Sequence, residues 1–261
     1  MIPKVPGKTI VYKYRPLGDD TSRDRVRDIL VNHRLYASSP LALNDPFECK
    51  AKWSLKASKK QRLRKTMQIA ESRNPYAPQN AKKREARELQ AAVADTGVEN
   101  AKRVLSENAG FVSFGGSVDN LLMWAHYASD HRGIAIAFQA KHWGHADFFG
   151  EIHEVRYQSE FPVVEPYNFD AESVRNLMTT KSREWEYEAE HRFIIDTRDE
   201  SPFVPFSSDL IAAIYMGCRI GNEDIRFIKD CVKDGCPSCQ VFRAHMQDDA
   251  YGLRFERFEV R

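Results

Sequence analysis

The chain has 261 residues, 42% hydrophobic and 29% charged, enough for one sizeable core or two small ones. Its 13 glycines and 12 prolines are too few for a collagenous or low-complexity chain. No apolar run approaches the ~20 residues that span a bilayer, so no membrane association is expected, and Met1-Ile-Pro-Lys begins no signal peptide. The five cysteines (Cys49, Cys218, Cys231, Cys236, Cys239) are odd in number and three crowd near the C-terminus, which fits a reduced, cytoplasmic protein better than a secreted disulfide scaffold.

The net charge of +2 hides an asymmetry. Residues 50 to 87 hold thirteen Lys/Arg against only Glu71 and Glu85, a local net of +11 that leaves −9 for the rest. Such a block attracts polyanions or forms a solvated helical face, and Lys59, Lys60, Arg62 and Lys65 are the candidate nucleic-acid contacts.

In chain order, Thr9 to Tyr14 alternates like a short strand. Thr21 or Ser22 caps a helix through Leu30, with Val26, Ile29 and Leu30 on one face. Leu35 to Ser39 is a second short strand stopped by Pro40, and Asn44-Asp45-Pro46 is turn chemistry. Residues 55–72 and 80–107 read as basic helices split by Asn74-Pro75-Tyr76-Ala77-Pro78. Strand character follows: Gly110 to Phe114, then a short helix Leu121 to Ala128 capped by Asp119 or Asn120. Gly133 to Phe138 is apolar on both faces and so central. Ile152 to Tyr157, His191 to Ile195 and Ile211 to Met216 are further strands. Residues 222–234 form a helix, and Val241 to Met246 with Leu253 to Phe258 close as a hairpin. The layout is a single α+β domain over 1–261 with a basic helical insert at about 50–107.

Common templates are missing. Gly115-Gly116 lacks the third glycine and the βαβ frame of a dinucleotide fingerprint, and no Walker loop, H-E-x-x-H or G-x-S-x-G occurs. Cys231, Cys236, Cys239 and His245 are zinc-type ligands, but one C-x-x-C half alone matches no common knuckle and no metal is expected. The densest run is Lys181 to Ile195, where Glu188 and Glu190 read as neighbours on one face of a strand with Arg192 continuing that face. Adjacent carboxylates need a cation, a substrate hydroxyl or an Arg beside them, or else they decorate a solvated edge. A second concentration is Asp119 to Gly133. Leu121, Trp124, Ala125 and Ala128 form its buried face, with His126 and Tyr127 on another side and His131 and Arg132 in the following turn. Two histidines beside an Arg hold a phosphate or orient a carboxylate, or a histidine packs structurally beside Trp124.

Tyr12-Lys-Tyr-Arg15, Leu35-Tyr-Ala-Ser-Ser-Pro40 with Leu43-Asn-Asp-Pro-Phe-Glu48, Asn120-Leu-Leu-Met-Trp-Ala-His-Tyr127, His131-Arg-Gly133 and Trp185-x-Tyr-Glu-x-Glu-x-Arg192 occur together in this order. Between about residues 10 and 217 the chain thereby resembles a bacterial family known as a domain of unknown function (number twenty-nine seventy-one). The order of parts is also similar to ADP-ribosyltransferases, in particular their nucleic-acid-modifying toxin and diphtheria-toxin-like branches. That resemblance implies a split β-sheet core that binds NAD, as substrate, without Rossmann glycines. It implies that Arg15 is the basic residue of the first motif strand, that Tyr36 and Ser38 floor the nicotinamide pocket, and that Glu190 is the catalytic glutamate with Glu188 before it. Tyr14-Arg15 stands where that family has His-Gly or Arg-Gly, and no Ser-Thr-Ser triplet occurs.

The residue types suit that chemistry. Cleaving the nicotinamide–ribose bond develops positive charge that a fixed Glu190 carboxylate stabilises. Arg15 grips a pyrophosphate bidentately, Tyr36 stacks on nicotinamide, and Glu188 orients or deprotonates the acceptor. His126, Tyr127 and Arg132 complete the expected cofactor-binding set. The expectation is an enzyme that transfers ADP-ribose to a macromolecule such as nucleic acid, in the setting of a toxin or phage-defence effector with an antitoxin or defence-system partner. A metal-dependent nuclease using Glu188 and Glu190, and a non-catalytic nucleotide- or nucleic-acid-binding module, stand as alternatives.

Overall fold

A computed structural model describes residues 9–54, 56–140, 152–197 and 201–260. In chain order the elements are β1 (Thr9–Arg15), α1 (Asp20–Leu30), β2 (Arg34–Tyr36), β3 (Lys52–Trp53), α2 (Lys59–Arg73), α3 (Gln79–Asn108), β4 (Ala109–Phe114), α4 (Leu121–Tyr127) and β5 (Ile134–Ala140). There follow β6 (Ile152–Glu154), β7 (Arg156–Gln158), β8 (Val163–Val164), α5 (Ala171–Met178), β9 (Thr180–Ser182), β10 (His191–Asp196), β11 (Phe203–Pro205), β12 (Ile211–Met216), α6 (Asn222–Gly235), β13 (Gln240–Met246) and β14 (Leu253–Arg257). The fold is α+β and divides into two compact units. The first holds residues 1–38, 111–155 and 184–261, and the second residues 39–110 and 156–183.

In the first unit a five-stranded sheet runs β1-β5-β12-β13-β14. The doubly apolar β5 is interior as expected, antiparallel to both β1 and β12. Side chains alternate across this sheet with period two. Val11, Ile134, Ile136, Phe138 and Ile214 enter one cluster with Val26, Ile29 and Leu30 of α1 and Ile225, Ile228 and Val232 of α6. Tyr12, Tyr14, Ala135, Ala137 and Tyr215 enter the other, built around Trp124 of α4. A three-stranded sheet, β4-β10-β6, completes the frame. An antiparallel bridge between Tyr12 and Gly115 ties the end of β4 to β1, and a second joins Ser38 to Phe111.

Local chemistry corrects one cap and selects the other. Asp19, not Thr21 or Ser22, caps α1, its carboxylate accepting from the Ser22 amide at 2.8 Å. Asn120 caps α4, accepting from the amides of Leu122 and Met123. The expected strand Ile152 to Tyr157 is two strands, because at Val155 the backbone turns from pairing with β10 to pairing with β9. The C-terminal hairpin forms in register Phe242↔Arg257 to Met246↔Leu253.

The second unit contains the basic insert together with residues 156–183. A capping box between Ser58 and Gln61 starts α2, and α2 and α3 pack side by side around the buried Thr66, Ala70, Lys82 and Ala86. Lys82 turns inward and donates to the Pro75 carbonyl at 2.7 Å. Within this unit Lys181 lies 3.8 Å from Glu48, both side chains nearly inaccessible.

Candidate active site

The run Trp185 to Arg192 is not a strand throughout. Residues Arg183–Glu188 form a 3-10 turn, closed where the Ala189 amide donates to the Glu186 carbonyl at 3.1 Å, and Ala189 sits at φ 44°. Only from His191 does β10 begin. The reading of Glu188 and Glu190 as strand neighbours is therefore corrected: Glu188 ends the 3-10 turn, and the left-handed Ala189 stands between it and Glu190. The backbone is held closely. A Cβ on Gly116 would lie 2.7 Å from the Ala189 carbonyl oxygen, so the approach requires glycine, and its amide donates to the Glu188 carbonyl at 3.2 Å.

Neither carboxylate decorates a solvated edge. Glu188 and Glu190 are 4% and 5% exposed. Tyr127 Oη donates to Glu188 Oε1 at 2.6 Å, and burial followed by this carboxylate holds the phenol well above its usual value, so it stays protonated as the donor. Asn120 adds a bond from Nδ2 to the Tyr187 carbonyl at 2.5 Å, joining the cap of α4 to the turn. Glu190 accepts a fork from Arg192, Nε to Oε1 at 2.8 Å and Nη2 to Oε2 at 2.9 Å. Arg192 is 1% exposed and its guanidinium lies 4.3 Å from the centre of the Phe111 ring. Phe111 in turn exchanges two backbone hydrogen bonds with Ser38.

Two cations of β1 complete the arrangement. Lys13 and Arg15 alternate with Tyr12 and Tyr14 and so share the Val11 side of the sheet. Lys13 Nζ donates to the Ser113 carbonyl at 2.7 Å and lies 5.7 Å from the Phe114 ring centre. Burial, then repulsion from Arg15, pulls its ammonium well below the usual range, while Glu190 acts against that shift. Arg15 is lowered to about 10, first by burial and then by Arg25. Its Nε is buried and has no hydrogen-bond partner among the described residues.

The structure thus gathers Glu188 with Tyr127, and Glu190 with Arg192, Lys13 and, through Lys13, Arg15. Ser38 joins through Phe111. His126 is exposed on α4, with its ring 6.3 Å from those of Tyr127 and Tyr187, and Trp185 lies 6.1 Å from Tyr187. Other expected residues are engaged elsewhere. Tyr36 is half exposed and packs edge-on against Phe203 across the β2–β11 pair. Arg132 is exposed, 3.5 Å from Asp130 in the turn after α4. Of the basic insert, Lys59 and Lys60 are exposed, but Arg62 donates to the Ala57 carbonyl and covers Tyr167, and Lys65 lies half-buried near Asp170. Lys13, Tyr187 and Trp185 were not singled out as site residues. The two cations of β1 carry a visible signal, since they alternate on a face that is otherwise apolar.

The zinc-type residues do not assemble as one set: His245 lies 3.5 Å from Glu256 on the hairpin. Among the described residues no group of three or more His, Cys, Asp or Glu is placed to hold a metal ion, and no helix is long and apolar enough to cross a membrane. Comparisons with protein-family models, curated proteins and solved structures find no match to this chain.

Proposed function

We propose that the first unit binds a pyrophosphate-bearing dinucleotide of the NAD type at Lys13, Arg15 and Glu190, and transfers its ADP-ribosyl group to a macromolecule. The observation that carries this reading is Arg15: a guanidinium with a buried Nε that has no hydrogen-bond partner among the described residues, with the half-buried Lys13 two positions before it on the same strand. Leaving such a group unsatisfied costs about 1–3 kcal/mol, which an anionic ligand would recover on binding. A phosphate pair offers the oxygens a guanidinium fork requires.

Glu190 then supplies fixed negative charge. Arg192 holds its carboxylate in one orientation, so no reorganisation is needed when positive charge grows on the ribose as nicotinamide leaves. Glu188, oriented by Tyr127, takes the acceptor's proton. His126, Tyr187 and Trp185 offer ring faces for a base or nicotinamide. The exposed Lys59 and Lys60 suit a polyanionic acceptor.

One observation favours a second reading, a nucleotide-binding module without turnover. The Arg192 fork engages both oxygens of Glu190, which also describes a purely structural ion pair. Nicotinamide release from NAD, followed chromatographically, separates the two. Transferase function predicts release by the wild type, loss of transfer with retained NAD cleavage in Glu188→Gln, and loss of both in Arg15→Met. Binding of NAD or ADP-ribose with no release assigns the module, and absence of any binding overturns both readings.

A further inference from the structure

We propose that Cys236 and Cys239 form a dithiol that a peroxide oxidises reversibly to an intramolecular disulfide, a modification site separate from the cluster around Glu190. Cys236 follows Gly235, the last residue of α6, and Cys239 precedes β13. The segment between them is a tight turn closed by the Cys239 amide donating to the Cys236 carbonyl at 2.9 Å. A turn of this type keeps its outer Cα atoms within about 7 Å, overlapping the ~4.4–6.8 Å that a disulfide spans. Pro237 restricts the backbone of that turn, so the two cysteines are held near one another without large rearrangement.

Cys239 Sγ donates to the Gln240 carbonyl at 3.5 Å, and the two thiols act on each other across the turn, Cys239 favouring the thiolate of Cys236 and Cys236 disfavouring that of Cys239. The same turn therefore carries an attacking sulfur and, three residues on, a resolving thiol. Access runs through Cys239, which lines a cavity of about 500 Å³ with Arg226, Lys229, Lys233 and Arg257. Cys236 is 5% exposed, which suits a small oxidant rather than a protein one. Cys231, 1% exposed in the apolar core, is held well above the ordinary thiol range by burial and is not the partner.

The step balances with hydrogen peroxide as the oxidant. Cys236 thiolate attacks one peroxide oxygen, the O–O bond breaks, and the leaving hydroxide takes up a proton to become water. The Cys239 sulfur then attacks the resulting sulfenic acid, the S–S bond forms, and the second oxygen leaves as water with the Cys239 proton. The two sulfurs are each oxidised by one electron and peroxide is reduced by two.

Full-length reduced protein treated with hydrogen peroxide, alkylated under denaturing conditions and digested with trypsin tests the assignment. The peptide Asp234–Arg243 holds both cysteines, whereas Cys231 falls in Asp230–Lys233. The expected product is Asp234–Arg243 lighter by two hydrogens and resistant to alkylation, restored by dithiothreitol. In Cys239→Ser, peroxide should instead leave a dimedone-trappable sulfenic acid on Cys236. In Cys239→Ala, alkylation of Cys236 at neutral pH should slow several-fold. A cross-link between the two peptides, full alkylation of Asp234–Arg243 after peroxide, or an unchanged alkylation rate in Cys239→Ala would each overturn the proposal.

Discussion

Replacing Glu190 by glutamine should destabilise the first unit before it reports on any chemistry. Arg192 is 1% exposed and donates two hydrogen bonds, of 2.8 and 2.9 Å, to the Glu190 carboxylate. Removing one partner of a buried ion pair costs about 3–5 kcal/mol, because the other charge is left in a low dielectric. Glutamine keeps one acceptor oxygen, and a hydrogen bond to a charged group is worth about 1.5–3 kcal/mol, so a net loss of roughly 2–3 kcal/mol is expected. For a unit of this size that corresponds to a fall in Tm of about 5–10 °C. Thermal and urea unfolding of Glu190→Gln, Arg192→Met and the double variant Glu190→Leu/Arg192→Met measure it. The double variant should recover most of the single losses, a coupling energy of about 2 kcal/mol, since apolar replacement leaves neither charge stranded. Single variants that melt with the wild type, or losses that simply add, would refute this account of the pair. Because Glu190→Gln perturbs the fold as well as the charge, Glu188→Gln is the better probe of chemistry.

Arg15→Met should raise the stability of the ligand-free protein by about 1–3 kcal/mol while abolishing nucleotide binding, because it removes a buried unpaired donor. A drop in stability would show that the guanidinium is already compensated. Burial, and then Arg219, hold His131 below its ordinary value of 6.5, so the unfolded chain takes up that proton first. Stability should therefore decline as pH falls below about 6.5 toward the folded-state value, and His131→Phe, which keeps the ring over Trp124, should flatten that slope in urea titrations at several pH values. An unchanged slope would remove His131 as its source. If the basic helices bind a polyanionic acceptor, reversing the exposed Lys59, Lys60 and Arg64 should reduce the salt dependence of polynucleotide binding by about one log–log unit per lost phosphate contact, with nucleotide binding intact. Unaltered binding would leave α2 with a solubilising role. Arg62 and Lys65 are omitted from that variant because both are engaged within their own unit.

The sequence by itself determined the elements whose reason is local. Alternation of Thr9 to Tyr14, the doubly apolar Gly133 to Phe138, the helix over 222–234 and the closing hairpin were legible because backbone periodicity and side-chain polarity coincide there. The basic helices were equally legible, their breaker lying at Asn74 to Pro78. The site was partly legible. Glu188, Glu190 and Tyr127 stood out by residue type and Arg15 through the resemblance, and the structure places Tyr127 on Glu188 and Lys13 in the electrostatic neighbourhood of both Glu190 and Arg15. Only the tertiary structure decided how these charges are spent. The left-handed Ala189 and the glycine-tight approach of Gly116 interrupt what alternation reads as a strand, so the two carboxylates acquire different partners. The cover that Arg62 forms over Tyr167 and the break at Val155 depend on contacts between residues far apart in the chain. A charge has the same sign in any sequence, but burial and the nearest donor fix whether it is solvated, paired or left for a ligand, and those are set only when distant segments pack.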